Sequence, residues 1–70
     1  MTVWFFRILE LEDGSWACRR GRTVIDEHAT YGDALDHICG LAAADPPSQV
    51  FVHPRGAARP TVVAEFGDTD

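Results

Sequence analysis

Short apolar runs rich in β-branched and aromatic residues, separated by turn residues, predict five strands. The first run, Val3 to Leu11, is followed by Glu12-Asp13-Gly14, a sequence typical of a hairpin turn. Arg20-Gly21 marks a second turn, and the proline- and glycine-containing segment 54–60 is a loop. The strands are predicted over Val3 to Leu11, Ser15 to Arg19, Thr23 to His28, Gln49 to His53 and Thr61 to Phe66.

Between the third and fourth strands, the apolar spacing changes to that of a helix. Thr30 is a suitable N-cap, and Asp33, three residues later, suits the positive end of the helix dipole. Asp45-Pro46-Pro47 ends the helix, since proline cannot continue the hydrogen-bond ladder. One amphipathic helix is predicted, with this apolar stripe: Ala34, Leu35, Ile38, Leu41 and Ala42.

The order βββαββ predicts an α+β fold with a single mixed, mostly antiparallel sheet. Strands one and three of the meander point the same way, and the helix returns the chain so that strand four runs parallel to strand one. A right-handed crossover then gives the sheet order 3-2-1-4-5, with one helix packed on one face. Seventy residues allow one domain, 1–70, whose acidic tail 67–70 is expected to be flexible.

The first strand is apolar on both faces, but one helix can cover only one of them. Large uncovered apolar patches usually mark interaction sites, so we expect a homodimer or a docking surface on the other face. An alternative is that the C-terminal hairpin curls over this face and makes it part of the core. The predicted partner-binding residues are Val3, Phe5, Arg7 and Leu9.

Charge argues against general nucleic-acid binding. The net charge is −5 and all six basic residues are arginines, so the overall field repels a phosphate backbone. Arg55 and Arg59 are expected at the opposite end of the sheet from the other arginine cluster, so the two should not merge. The alternative anion or nucleic-acid contact is formed by Arg19, Arg20 and Arg22.

The residue set predicts no enzyme, metal site or cofactor. Arg7 lies at the middle of strand one and His53-Pro54 ends strand four, where a two-metal nuclease would need carboxylates. His53 is expected to hydrogen-bond loop backbone, and Cys39, on the helix stripe, to be an inert buried thiol. The zinc-ligand candidates match no known finger or ribbon spacing: Cys18, His28, His37, Cys39 and His53.

The cysteine count and the length of the N-terminal apolar run predict where the protein is located. Two cysteines without a signal peptide do not make a secreted disulfide scaffold, so both thiols are expected to be reduced. The N-terminal apolar run, Val3 to Phe6, is far shorter than the roughly 20 residues of a membrane span. We therefore expect a cytoplasmic protein without membrane contact.

Several short motifs resemble the small bacterial domain-of-unknown-function 2188 family. They are Gly14 with Trp16, Thr30-x-x-Asp33-Ala34 at the helix start, and Val50-x-Val52-His53-x-Arg55-Gly56. The resemblance covers roughly residues 3 to 67 and implies a compact α+β fold without an established activity. The strand order is also loosely similar to the N-terminal domains of HicB-type antitoxins, although their proline-glycine segment before the helix is missing.

The leading functional hypothesis is a non-enzymatic protein-interaction module, binding a protein partner or a second copy of itself. The alternative is an antitoxin-like or regulatory nucleic-acid-associated protein that uses the arginines of the second turn.

Overall fold

The computed structural model describes residues 3–67, which form five strands and one helix. The α+β prediction is confirmed, with no strand end shifted by more than one residue. The first strand begins at Trp4, the second ends at Arg20, and the fourth begins at Ser48. The elements are β1 (Trp4–Glu10), β2 (Trp16–Arg20), β3 (Thr23–His28), α1 (Tyr31–Ala44), β4 (Ser48–His53) and β5 (Thr61–Phe66).

The sheet has the predicted order β3-β2-β1-β4-β5. β1 pairs antiparallel with β2 and parallel with β4, because the helix carries the chain back across the sheet before β4 begins. β1 is therefore the central strand. Of the acidic tail, residues 68–70 lie outside the described part of the chain.

The helix begins and packs as its sequence pattern predicts. The Asp33 backbone N–H donates to the Thr30 hydroxyl over 3.2 Å, which satisfies one of the unpaired donors of the first turn. Three helix residues are fully buried: Ala34, Ile38 and Ala42. They pack with the sheet residues of the core, Phe6, Ile8, Cys18, Val50 and Val52.

At the other end, the helix is fastened to β4 by a buried hydroxyl. Ser48 is 2% exposed, and its Oγ donates to the Ala42 carbonyl oxygen over 2.7 Å. The same carbonyl accepts from the Asp45 N–H over 3.1 Å. Both donors thus serve one of the four C-terminal carbonyl groups that have no partner within the helix.

Both outer strands contain a β-bulge. The β2–β3 register shifts between Cys18 and Arg19, which leaves Ile25 as an extra residue in β3. The β4–β5 register shifts between Val50 and Phe51, which leaves Val63 as an extra residue in β5. A bulge bends and twists an edge strand and interrupts its ladder of hydrogen-bonding groups.

Within residues 3–67, the only helix, α1, is too short to cross a bilayer.

Alanine substitutions at two glycines are expected to change the stability of the fold in opposite directions. A Cβ added at either Gly40 or Gly14 meets no atom within 4 Å, but Gly14 has φ +89° in the β1–β2 turn whereas Gly40 lies inside the helix. We expect Gly40→Ala to stabilise the fold by about 0.5–1 kcal/mol, because alanine loses less backbone entropy in a helix.

Gly14→Ala should destabilise the fold by about 1 kcal/mol, because an L side chain is strained at that positive φ. Urea unfolding followed by circular dichroism measures both changes. Two shifts of the same sign would show that one of these backbone assignments is wrong.

Candidate functional site

The sheet face opposite α1 is uncovered in the described residues. The C-terminal hairpin does not curl over it, because β5 extends the sheet beyond β4. Strand alternation and register place twelve side chains on this surface, which we call the open face. They are Phe5, Arg7 and Leu9 of β1, Ala17 and Arg19 of β2, Val24 and Glu27 of β3, Gln49, Phe51 and His53 of β4, and Val62 and Glu65 of β5.

Two arginines lie side by side at the centre of the open face. Arg7 and Arg19 are direct partners in the antiparallel β1–β2 register. Like charges at directly opposed positions of a sheet are destabilising, so this pairing has a cost for the fold. Arg19 Nε is also buried and has no hydrogen-bond partner among residues 3–67.

His53 joins the arginine pair from β4. Arg7 Nη1 lies 3.2 Å from His53 Nε2, and the Arg7 guanidinium lies 5.5 Å from the centre of the Phe51 ring. Burial, then the charges of Arg7 and Arg19, lower the pKa of His53 below its ordinary value. The expected bond from His53 to loop backbone is not found; the ring contacts Arg7 instead, because the parallel β1–β4 register places both side chains on the same face.

Apolar side chains flank this cationic centre, and the acidic Glu27 and Glu65 lie on the two edge strands of the same face. The Phe5 and Phe51 rings pack at 5.9 Å between centroids. Phe5 is 42% exposed, Val24 59% and Val62 44%, and Val3, which directly precedes β1, is 40% exposed. On the rim, the Gln49 amide donates to Glu65 over 3.1 Å. The predicted partner residues Val3, Phe5, Arg7 and Leu9 thus belong to one surface with Arg19 and His53, which the sequence alone did not connect.

The structure separates the three arginines of the second turn. Arg19 points to the open face, whereas Arg20 lies on the helix side, 5.0 Å from the Trp4 ring and 3.6 Å from the Asp45 carboxylate. Arg20 and Asp45 also line a cleft of about 240 Å³ between β3 and the end of α1. Arg22 is exposed in the β2–β3 turn.

The second arginine cluster lies at the other end of the sheet, as expected. The Arg55 backbone N–H donates to Glu10 over 2.9 Å, and its guanidinium donates to the Glu12 carbonyl over 3.2 Å. These contacts fasten the β4–β5 loop to the end of β1. Arg55 therefore does not extend a basic surface towards Arg22.

The cysteines are not activated nucleophiles. Burial, then the nearby Asp26 carboxylate, raises the pKa of Cys18 to about 12. Burial, then the charge of Asp36, raises the pKa of Cys39. Both thiols are free and stay protonated at neutral pH, when they are poor nucleophiles.

Three of the five zinc-ligand candidates come together on the helix side of the sheet. Cys18, His28 and His37 converge around Asp26, whereas Cys39 lies elsewhere on α1 and His53 on the opposite face. Asp26 was missed because the spacing comparison considered only cysteine and histidine. The available signal was Asp26-x-His28 within a strand, a spacing that places both side chains on one face.

No family model, curated protein or solved structure matches the chain. Membership of the domain-of-unknown-function 2188 family therefore stays a prediction. The geometry of the chain's own residues carries the functional argument.

The depressed pKa of His53 gives a direct test of the arginine cluster. Arg7→Gln should raise the pKa of His53 towards its ordinary value, although not fully, because burial and Arg19 remain. Imidazole proton shifts followed by NMR as a function of pH measure this change. Arg22→Gln, with the same change of charge in the distant turn, should leave the His53 titration unchanged, and an equal shift in both variants would contradict the cluster.

Proposed function

We propose that this chain is a non-enzymatic protein-interaction module whose open face binds an acidic side chain of a protein partner. The observation that carries this proposal is the direct pairing of Arg7 with Arg19 on an uncovered, apolar-flanked surface. The raised pKa of both thiols supports a non-enzymatic role, and free cysteines suit the reducing cytoplasm.

The arginine pair selects for an anionic group. Opposed cations weaken a sheet unless a negative charge lies between them, and a carboxylate accepts hydrogen bonds from guanidinium groups in a bidentate arrangement. The unpartnered Arg19 Nε provides a donor that the described residues do not satisfy. A partner carboxylate would supply the missing acceptor and separate the two charges.

The flanking aromatics select for a protein rather than a small anion. Phe5 and Phe51 form a tilted aromatic pair next to the arginines, and Val24 and Val62 extend the apolar surface towards both edges of the sheet. Aromatic and arginine side chains are enriched in the energetically important centres of protein interfaces. The matching ligand is an acidic residue flanked by apolar residues.

The geometry of the open face disfavours two other ligands, a second copy of the chain and a nucleic acid. A two-fold dimer centred on the open face would stack Arg7 and Arg19 of one copy on those of the other. A phosphate backbone needs several cations in a row, but Arg20 is paired with Asp45 on the other side of the sheet. The net charge of −5 adds repulsion of any polyanion.

Arg19→Gln should stabilise the fold by about 0.2–1 kcal/mol, because it removes the repulsion from Arg7 in the paired position. Urea unfolding at low salt measures this gain, which added salt should reduce. Arg22→Gln serves as the matched control and should have no such effect. A destabilised Arg19→Gln variant would show that the fold, rather than a partner, requires the arginine.

Peptide selection tests the partner chemistry. The immobilised chain is presented with a displayed library of random linear peptides, and enriched peptides are synthesised for titration calorimetry. We expect them to combine Asp or Glu with apolar neighbours and to bind more weakly as the salt concentration rises. Arg7→Gln or Arg19→Gln should weaken binding about 10-fold or more, since a charge-assisted hydrogen bond contributes at least that much.

Arg22→Gln and Arg59→Gln change the net charge equally and should bind like the wild type. Enrichment of peptides without acidic residues, or equal binding by all four variants, would overturn the proposal.

Light scattering should give a monomer at high concentration. A dimer that dissociates in Phe5→Asp would replace the acidic partner with a second copy, and salt-sensitive retention on RNA or DNA lost in Arg19→Gln would replace it with a nucleic acid.

A further inference from the structure

A second cluster of polar side chains lies on the helix side of the sheet, away from the open face. Asp26 and His28 alternate along the edge strand β3 and so point to the same side, while His37 comes from α1. Cys18 is the direct partner of Asp26 in the β2–β3 register. Three separate elements therefore contribute side chains to one point.

The potential ligand atoms face each other at short distances. His28 Nε2 lies 3.0 Å from Asp26 Oδ1 and 3.2 Å from His37 Nδ1, and His37 Nδ1 lies 2.8 Å from Asp26 Oδ2. Cys18 Sγ, an Asp26 carboxylate oxygen and a His28 ring nitrogen all lie within 4.8 Å of one another.

The three closest groups all offer electron pairs that a cation can accept. Each imidazole nitrogen lies next to a different oxygen of the Asp26 carboxylate, and the two nitrogens lie next to each other. A cation at the centre of this triangle would attract all three groups at once.

The distances among the nitrogen and oxygen atoms are close to those of a tetrahedral zinc site, and the Cys18 sulfur lies within 4.8 Å of the Asp26 and His28 ligand atoms. Zinc binds imidazole nitrogen and carboxylate oxygen at about 2.0–2.2 Å and thiolate sulfur at about 2.3 Å, so neighbouring ligand atoms lie about 3.3–3.6 Å apart. The nitrogen and oxygen atoms here need to separate by only a few tenths of an ångström. We propose a zinc site that fastens the edge strand β3 to helix α1, with four ligands: Cys18, Asp26, His28 and His37.

Access and local packing are consistent with such a site. The side chains of His28, Asp26 and His37 are 22%, 33% and 42% exposed, so an ion can enter from solvent, while Cys18 is fully buried and lies at the floor. Four of the six β3 residues are exposed, so apolar burial does little to hold this strand against the helix. Zinc binding would release the Cys18 thiol proton to solvent, and the bound metal would stabilise the folded state.

The test uses the full chain without an affinity tag, stripped of metal with EDTA and dialysed. Zinc sulfate is titrated in competition with a chromophoric chelator, and thermal unfolding is followed with and without zinc. We expect one zinc per chain and a higher unfolding midpoint with zinc. His37→Ala changes an exposed helix residue and should weaken zinc binding more than about 100-fold, since even partners of ligands contribute 10–100-fold.

His53→Ala is the matched control, because it removes a histidine from the opposite face and should bind zinc like the wild type. Cobalt(II) then reports the ligand set: a tetrahedral site gives strong visible absorption, and a bound thiolate adds a near-ultraviolet charge-transfer band that Cys18→Ser should remove.

Absence of 1:1 zinc binding, or equal affinity in His37→Ala and His53→Ala, would overturn the proposed site. A visible cobalt spectrum without the thiolate band would overturn the assignment of Cys18 as the fourth ligand. Because the open face contributes no ligand, these outcomes are independent of the peptide-binding experiments.

Discussion

The parallel pairing of β1 with β4 is the constraint on which the rest of the molecule depends. It is fixed at one end by the Trp4 N–H, which donates to the Pro47 carbonyl oxygen over 3.0 Å. This pairing places the most apolar strand at the centre of the sheet and requires α1 to cross over one face. Phe6 and Ile8 are then buried beneath the helix, while Phe5 and Arg7 are left on the uncovered side. The two faces of one strand thus lie in different environments, one buried and one exposed to solvent.

The positive charges at the centre of the open face lower the stability of the fold. A domain of this size buries only about 60% of the surface of its unfolded chain, so its margin of stability is small. It nevertheless places Arg7 opposite Arg19 and adds His53, whose pKa is lowered by the same charges and by burial. Because a pKa below the ordinary value disfavours the protonated native state, the fold loses stability as the pH falls through the titration of His53. Local costs of this kind are typical of functional surfaces.

The sequence was sufficient for the fold because local signals and the global arrangement agree. Thr30 and Asp33 mark the helix start, the spacing of Ala34, Ile38 and Ala42 identifies its buried side, and the right-handed crossover rule then leaves one strand order. The side-chain clusters were less predictable. The pairing of Arg7 with Arg19 depends on the β1–β2 register, and the pairing of Asp26 with Cys18 depends on the β2–β3 register. Turn geometry and the bulge after Cys18 set these registers. A shift of one residue would move a side chain to the other face of the sheet.

The bulges also determine how a partner can approach. Sheets commonly recruit an additional strand at an edge, which needs an uninterrupted row of backbone donors and acceptors. Here both edges are interrupted, at Ile25 in β3 and at Val63 in β5, so a long added strand cannot pair in register along either one. Binding through backbone hydrogen bonds is therefore disfavoured at both edges of the described sheet. The proposed recognition on the open face, where Arg7 and Arg19 meet beside aromatic side chains, would therefore depend on side-chain chemistry.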